Sequence, residues 1–221
     1  VSPAELAGRI EAALLAPSAT RGEVEVLCAR ARARGLLGVC VNPSQLAAAS
    51  EALRGSPVRV VAVVGFPLGA SLAEVKVYEA MQCVLQGAQE LDVVMNIAWA
   101  REGRWEALRQ ELQAVVMATP QAVHKVILET AYLSRQEMLQ AARVAAEAGA
   151  RFVKTSTGHA PRGATVEDVR ALREVLPQEV GIKASGGIKT LGQALALLQA
   201  GAQRLGTSAW AEILQEAERA P

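Results

Sequence analysis

From residue 36 onward, short runs of β-branched and aliphatic residues recur, each followed by a segment with helical spacing. The runs are LLGVCV (36–41), VRVVAVVG (58–65), ELDVVMN (90–96), HKVILET (124–130), RFVKTST (151–157), GIKASG (181–186) and QRLGTS (203–208). Between them lie Ala/Leu/Glu/Arg segments such as RWEALRQELQAVVMA and TVEDVRALREVL. Strands apolar on both faces, each returned by a helix, predict a parallel sheet. Glycine closes several helices just before the next strand, in LQGAQELDV, AEAGARFVK and LQAGAQRLG. A left-handed C-cap there permits a tight return. A weaker first strand in RIEAALL (9–15) completes eight β/α units, and no linker or shift in composition divides residues 1–221. A single-domain (β/α)8 TIM barrel is the expected fold. Its rival, an open doubly wound sheet, usually carries a glycine-rich fingerprint after its first strand, and none is present.

Composition narrows the function classes. The formal net charge is +1 with acids and bases interspersed, which suggests neither a nucleic-acid nor a membrane-surface partner. The basic run CARARARG (28–35) has alanine between its arginines and reads as a solvated helix face. No apolar run approaches the roughly 20 residues of a membrane span, and the first residues show no signal-peptide pattern. Cys28, Cys40 and Cys83 are odd in number and widely spaced, and there are two histidines. That pattern fits a reducing cytoplasm and argues against a disulfide framework or a zinc site. No metal and no cofactor are expected.

Arginine is the default cation here: 18 of the 23 basic residues are arginine, leaving Lys76, Lys125, Lys154, Lys183 and Lys189. Lysine offers what arginine cannot, an amine able to lose its proton and attack a carbonyl. Lys76, in SLAEVKVYEAM, is expected on a solvated helix face. Lys154 in FVKTST and Lys183 in GIKASGG instead stand in apolar strand runs, as does Asp92 in ELDVVMN. In a barrel these positions fall near the C-terminal strand ends, where active sites are built. One buried cation beside another disfavours the charging of both, so a neutral amine that condenses with an aldehyde or ketone is the expected chemistry. Asp92 would move protons, directly or through water, and keep the second lysine charged. The combination is that of a metal-free aldolase; a buried ion-pair network without chemistry is the alternative.

The loops after the seventh and eighth strands are the usual phosphate site of such barrels. SGGIK (185–189) and LGTSA (205–209) supply Gly186, Gly187 and Gly206 for close backbone approach, the Ser208 hydroxyl and the Lys189 charge. Asn96 and Glu129, at strand ends, are candidates for ordering water or the lysines. Cys40 is a candidate pocket residue that as a small apolar filler needs no role. His159 is a candidate for the substrate rim. Phe66-Pro67 in VVGFPLG suits either the pocket mouth or a purely structural turn.

Taken in order, VVGFPLG, ELDVVMN, KVILETAYL, FVKTSTG, GATVEDVRALRE, KASGGIKT and LGTS resemble the deoxyribose-phosphate aldolases over residues 15–212. The resemblance implies a class I aldolase, reversibly cleaving 2-deoxy-D-ribose 5-phosphate into acetaldehyde and D-glyceraldehyde 3-phosphate. It implies Lys154 as the Schiff-base lysine, Lys183 as the neighbour that depresses its pKa, and Asp92 as a proton relay. Thr157 and the two glycine loops would meet the sugar phosphate, and a homodimer is implied as well. The chain departs from the family where an Asp-His-Thr-Leu-Leu pattern usually opens the first strand. Here Glu11-Ala12-Ala13 precede Leu14-Leu15, so an aspartate and a threonine expected near the pocket are missing. Ala209-Trp210 replace the second serine and glycine often found in the last loop, and His159 stands where Phe or Lys is common. These departures leave open an altered, non-phosphorylated aldehyde substrate, or a weakly active barrel serving as a binding scaffold.

Overall fold

Every strand run read from the sequence forms a strand in the computed structural model, which describes residues 1–220. The order is α1 (Pro3–Ala7), β1 (Ile10–Leu14), α2 (Arg21–Arg34), β2 (Gly38–Val41), α3 (Leu46–Ala52), β3 (Arg59–Val64), α4 (Ala73–Leu85) and β4 (Glu90–Val94). There follow α5 (Ile97–Arg101), α6 (Trp105–Ala118), β5 (Val123–Ile127), α7 (Arg135–Glu147), β6 (Phe152–Lys154), α8 (Val166–Val175), β7 (Gly181–Ser185), α9 (Leu191–Gln199), β8 (Arg204–Thr207) and α10 (Trp210–Arg219). β1 pairs in parallel with both β2 and β8, so the sheet closes in sequence order. The open-sheet alternative falls with that closure.

Local chemistry marks the helix ends. Thr20, Ser134 and Thr190 each accept from the backbone N–H three residues on, while Glu23, Glu137 and Gln193 reach back to the cap. At the far ends of α7 and α9, Gly149 and Gly201 hold φ at 99° and 117°, the left-handed return expected of them. Arg30, Arg32 and Arg34 are exposed on α2, as their alternation with alanine suggests, with Arg30 stacked over Trp210 at 4.7 Å.

The main apolar core unites outward strand residues such as Val39, Leu91 and Val153 with helix residues such as Leu46, Leu108 and Leu172. The barrel interior is filled differently. A small apolar group of Cys40, Val61 and Val63, with Ala13, Leu15 and Phe66 against it, occupies the side of β2 and β3. The opposite side, from β4 round to β1, is ionic. Two glycines make room for its long side chains. A Cβ at Gly181 would lie 2.2 Å from the Phe152 ring, and one at Gly206 2.9 Å from Lys183 Cε.

Lys76 departs from expectation. It is fully buried between α4 and α6, donating to the Val94 carbonyl and to Glu111 Oε1, each at 2.9 Å. Glu111 Oε2 accepts the Asn96 N–H at 3.1 Å, so the pair anchors the turn after β4. Its partner is 35 residues away on another helix. Spacing within α4 alone carries no sign of it.

Candidate active site

Asp92 sits at the centre of the ionic half. Its Oδ2 accepts from Lys154 Nζ and Lys183 Nζ, each at 2.7 Å, and its Oδ1 accepts from Lys125 Nζ at 3.0 Å. The strand register explains the meeting. Asp92 pairs with Lys125, and Lys154 with Lys183, so neighbouring strands deliver these side chains at matched heights to the interior. The fourth and sixth strands are not adjacent; β5 lies between them, and Lys125 fills that gap.

Beneath this layer lies a second one. Lys125 Nζ also meets Glu90 Oε2 at 2.6 Å and Glu11 Oε2 at 3.3 Å. Lys183 donates to Glu11 Oε2, while Arg204 donates to Glu11 Oε1 at 3.1 Å and to Glu90 Oε2. Arg204 in turn stacks over Phe152 at 4.2 Å. Sequence reasoning overlooked Glu11, Glu90, Lys125 and Arg204. The signal was there in part: Glu90 and Asp92 are two apart and so share a strand face, and Lys125 is one of only five lysines in an arginine-rich chain.

The expected loss at β1 is corrected by these contacts. Glu11 stands in the position of the family's aspartate and still presents a carboxylate, fully buried against Lys183. The threonine's replacement is a real change, since Ala13 lines the cavity with a methyl group.

Burial alone would push Asp92 upward, but Lys125, Lys154 and Lys183 together hold its carboxyl well below the usual range. The same contest lowers Glu11 to about 2, with Lys125 and Lys183 outweighing burial. For Lys183, burial favours the neutral amine, yet Asp92 and Glu11 overcome it and raise the group; Lys125 is raised likewise by Asp92 and Glu11. Asp92 and Glu11 thus favour the ammonium form of Lys183.

Above the lysines opens a cavity of about 360 Å³. Lys154, Lys183, Cys40, Thr157 and His159 line it, together with Gly186, Gly187 and Lys189 after β7, Gly206 in β8 and Ser208 just after it. Gly186 and Gly187 hold φ at 87° and 74°, and Gly163 packs so closely that a Cβ there would lie 1.9 Å from the Gly186 carbonyl oxygen. Burial raises the Cys40 thiol to about 11, which keeps it protonated. His159 meets Phe66 edge to face, with ring centroids 5.1 Å apart.

Two candidates lie elsewhere. Asn96 is not a cavity residue; its Oδ1 caps α5 by accepting the Trp99 N–H at 3.2 Å, a role its position at a helix start favours. Glu129 orders neither lysine. Held at φ 54°, it accepts from the backbone N–H of Thr157 at 3.2 Å and from the Thr157 hydroxyl, fixing the loop that follows Lys154.

A larger groove of about 590 Å³, lined by Arg101, Trp105 and Arg143 among others, lies on the outer helices, away from every residue of this ionic cluster.

Comparison with known proteins agrees with the geometry. A deoxyribose-phosphate aldolase of Caldanaerobacter subterraneus subsp. tengcongensis is 46% identical over 214 residues, covering 96% of this chain and 93% of that protein. The solved structure of an aldolase designated QR15 superposes with a TM-score of 0.92 at 41% identity, covering 96% of this chain and 95% of its own. A deoxyribose phosphate aldolase from Aeropyrum pernix, described as a unique tetramer, gives a TM-score of 0.92 at 34% identity over 99% of this chain and 93% of its own. The DeoC/LacD family of aldolases matches residues 9–215. The chain belongs to that family.

Proposed function

We propose that this protein is a class I aldolase that reversibly cleaves 2-deoxy-D-ribose 5-phosphate to acetaldehyde and D-glyceraldehyde 3-phosphate. The observation that carries the reading is a lysine, Lys154, bound by a single shared carboxylate oxygen and open to a cavity rimmed by glycines. Its neutral amine adds to the aldehyde carbon of the open-chain sugar, and loss of water leaves a protonated imine. A proton then leaves the C3 hydroxyl, the C2–C3 bond breaks, and its electron pair is taken up by the imine to form an enamine. Glyceraldehyde 3-phosphate departs. Protonation of the enamine carbon and hydrolysis release acetaldehyde and restore Lys154. Asp92 Oδ2, which accepts from both lysines, passes these protons by way of water, while Lys183 stays cationic beside the reacting nitrogen. Gly186, Gly187, Gly206, Ser208 and Lys189 present N–H, O–H and ammonium donors to the phosphate, and Thr157 borders the sugar.

A second reading, the same chemistry on a non-phosphorylated aldehyde, is favoured only by Ala13, which offers the cavity no hydroxyl. Turnover of 2-deoxyribose 5-phosphate against free deoxyribose separates the two. The proposal expects kcat/KM to fall by at least about 100-fold without the phosphate; equal rates would favour the second reading.

Self-association into a homodimer is part of the proposal, in keeping with the oligomeric Aeropyrum relative. Leu72, Val75, Tyr78 and Leu85 are exposed, and the last three share one face of α4 by their spacing. Sedimentation should show a dimer that Tyr78→Asp dissociates; a monomeric parent would refute it. A cytoplasmic setting is also proposed, in accord with three free cysteines. Among the described residues no helix is long and apolar enough to cross a membrane.

A further inference from the structure

The chemistry above uses Lys154, Lys183 and Asp92, and leaves Glu90, Lys125 and Arg204 without a task. None of these three lines the cavity. All are nonetheless inside the barrel, with Lys125 fully buried, Glu90 2% exposed and the Arg204 side chain 16% exposed. Buried charge is retained only when it is paired, so the charges of this cage can be counted. With every group ionised it holds four cations, Lys125, Lys154, Lys183 and Arg204, against three anions, Glu11, Glu90 and Asp92. Release of one proton balances it. Arg204 cannot release one. Lys125 is bound by three carboxylates and Lys183 by two, whereas Lys154 meets one oxygen that it shares.

We propose that Glu90, Lys125 and Arg204 are positioning residues that set the protonation of Lys154 by charge parity: three fixed cations neutralise three carboxylates, so the fourth nitrogen is the one the site holds uncharged. The inference rests on the reading of Lys154 as the carbonyl-attacking amine. The other groups facing Lys154 leave the count unchanged. β2 contributes the protonated Cys40 thiol and β3 Val61 and Val63, while Arg59, which opens β3, is exposed to solvent, and the loop carboxylate of Glu129 is turned to Thr157. His159 and Lys189 stand at the cavity wall, outside the cage.

Parity makes opposite predictions for changes that never touch Lys154. Arg204→Met removes a fixed cation, so three cations including Lys154 now balance three carboxylates, and Lys154 is held as ammonium. The rising limb of kcat/KM against pH then moves up by about one pH unit. Glu90→Gln removes an anion and moves that limb down by a similar amount. The double variant Arg204→Met/Glu90→Gln restores the count and returns the limb to its parental position. Arg204 and Glu90 bind one another, so recovery of stability in the double variant fits a structural role as well; opposite signs of the two pH shifts are what a merely structural role does not predict.

The test measures these three pH profiles together with the rate at which borohydride traps acetaldehyde on Lys154. Shifts of opposite sign with recovery in the double variant support the proposal. Shifts of the same sign, or none, with trapping on Lys154 intact, overturn parity and leave the aldolase reading standing. Absence of trapping in the parent protein overturns both. If Arg204→Met does not fold by circular dichroism, Glu90→Gln alone decides: a downward shift supports parity, and an unmoved or raised limb overturns it.

Discussion

At position 154 the difference between an amine and a guanidinium decides function. Lys154→Arg places a permanent cation beside Asp92 and cannot supply a neutral nitrogen, so turnover should fall by more than about 1,000-fold with the fold intact; a steady-state assay with a thermal melt checks both. Gly206 tests the packing around the second lysine. A methyl group there would press on Lys183 Cε at 2.9 Å and displace its ammonium from Asp92. Gly206→Ala should therefore lower kcat about 10- to 100-fold with little change in Tm. Asp92, Lys154 and Lys183 were legible in the sequence because each interrupts an apolar strand run, though only Lys154 ends its strand, Asp92 and Lys183 standing at the middle of theirs. Arg204 was not, because it opens its strand, where an arginine ordinarily marks the edge of the sheet. Nor was Glu11, in a strand too weak in β-formers to reveal which way its side chains face.

Elements are joined by a second ionic device that sequence periodicity hides. Lys76 and Glu111 bind one another between α4 and α6, and burial lowers the first and raises the second, so each group alone would resist ionisation there. Removing one partner strands the other. Lys76→Met should destabilise the fold by about 3–5 kcal/mol, measured by urea unfolding. Lys76→Met/Glu111→Gln should recover part of that loss, since glutamine keeps an acceptor for the Asn96 N–H. A double variant no more stable than the single one would refute the pairing argument. The strands and most helices were readable because period, caps and closing glycines agree locally. The Lys76 environment was not, because it depends on how two helices meet on the outside of the barrel.

For the whole molecule, acid stability follows from groups held away from their ordinary titration. His124, buried beside α6 with its Nε2 2.8 Å from the Thr119 hydroxyl, is pushed down from 6.5 to about 4 by burial and by Lys125. The unfolded chain binds this proton first, so stability present above pH 6.5 is lost as pH falls towards 4, by on the order of 3 kcal/mol. Glu11, lowered from 4.5 to about 2, extends the loss in the same direction below pH 4.5. Tm should fall across both windows, and His124→Gln should flatten the upper one alone; a Tm independent of pH between 6.5 and 4 in the parent protein would refute the assignment. That the barrel would close was legible from eight repeats without a dinucleotide fingerprint. That half its interior would be ionic required the register, which brings Asp92 to Lys125 and Lys154 to Lys183.

The central claim is that one amine forms a covalent bond to an aldehyde. Incubation with acetaldehyde and borohydride, followed by peptide mass spectrometry, measures it directly. The account predicts an added ethyl group on Lys154 and none on Lys125 or Lys183. Recovery of unmodified Lys154, or an adduct on Lys183 in its place, would contradict it.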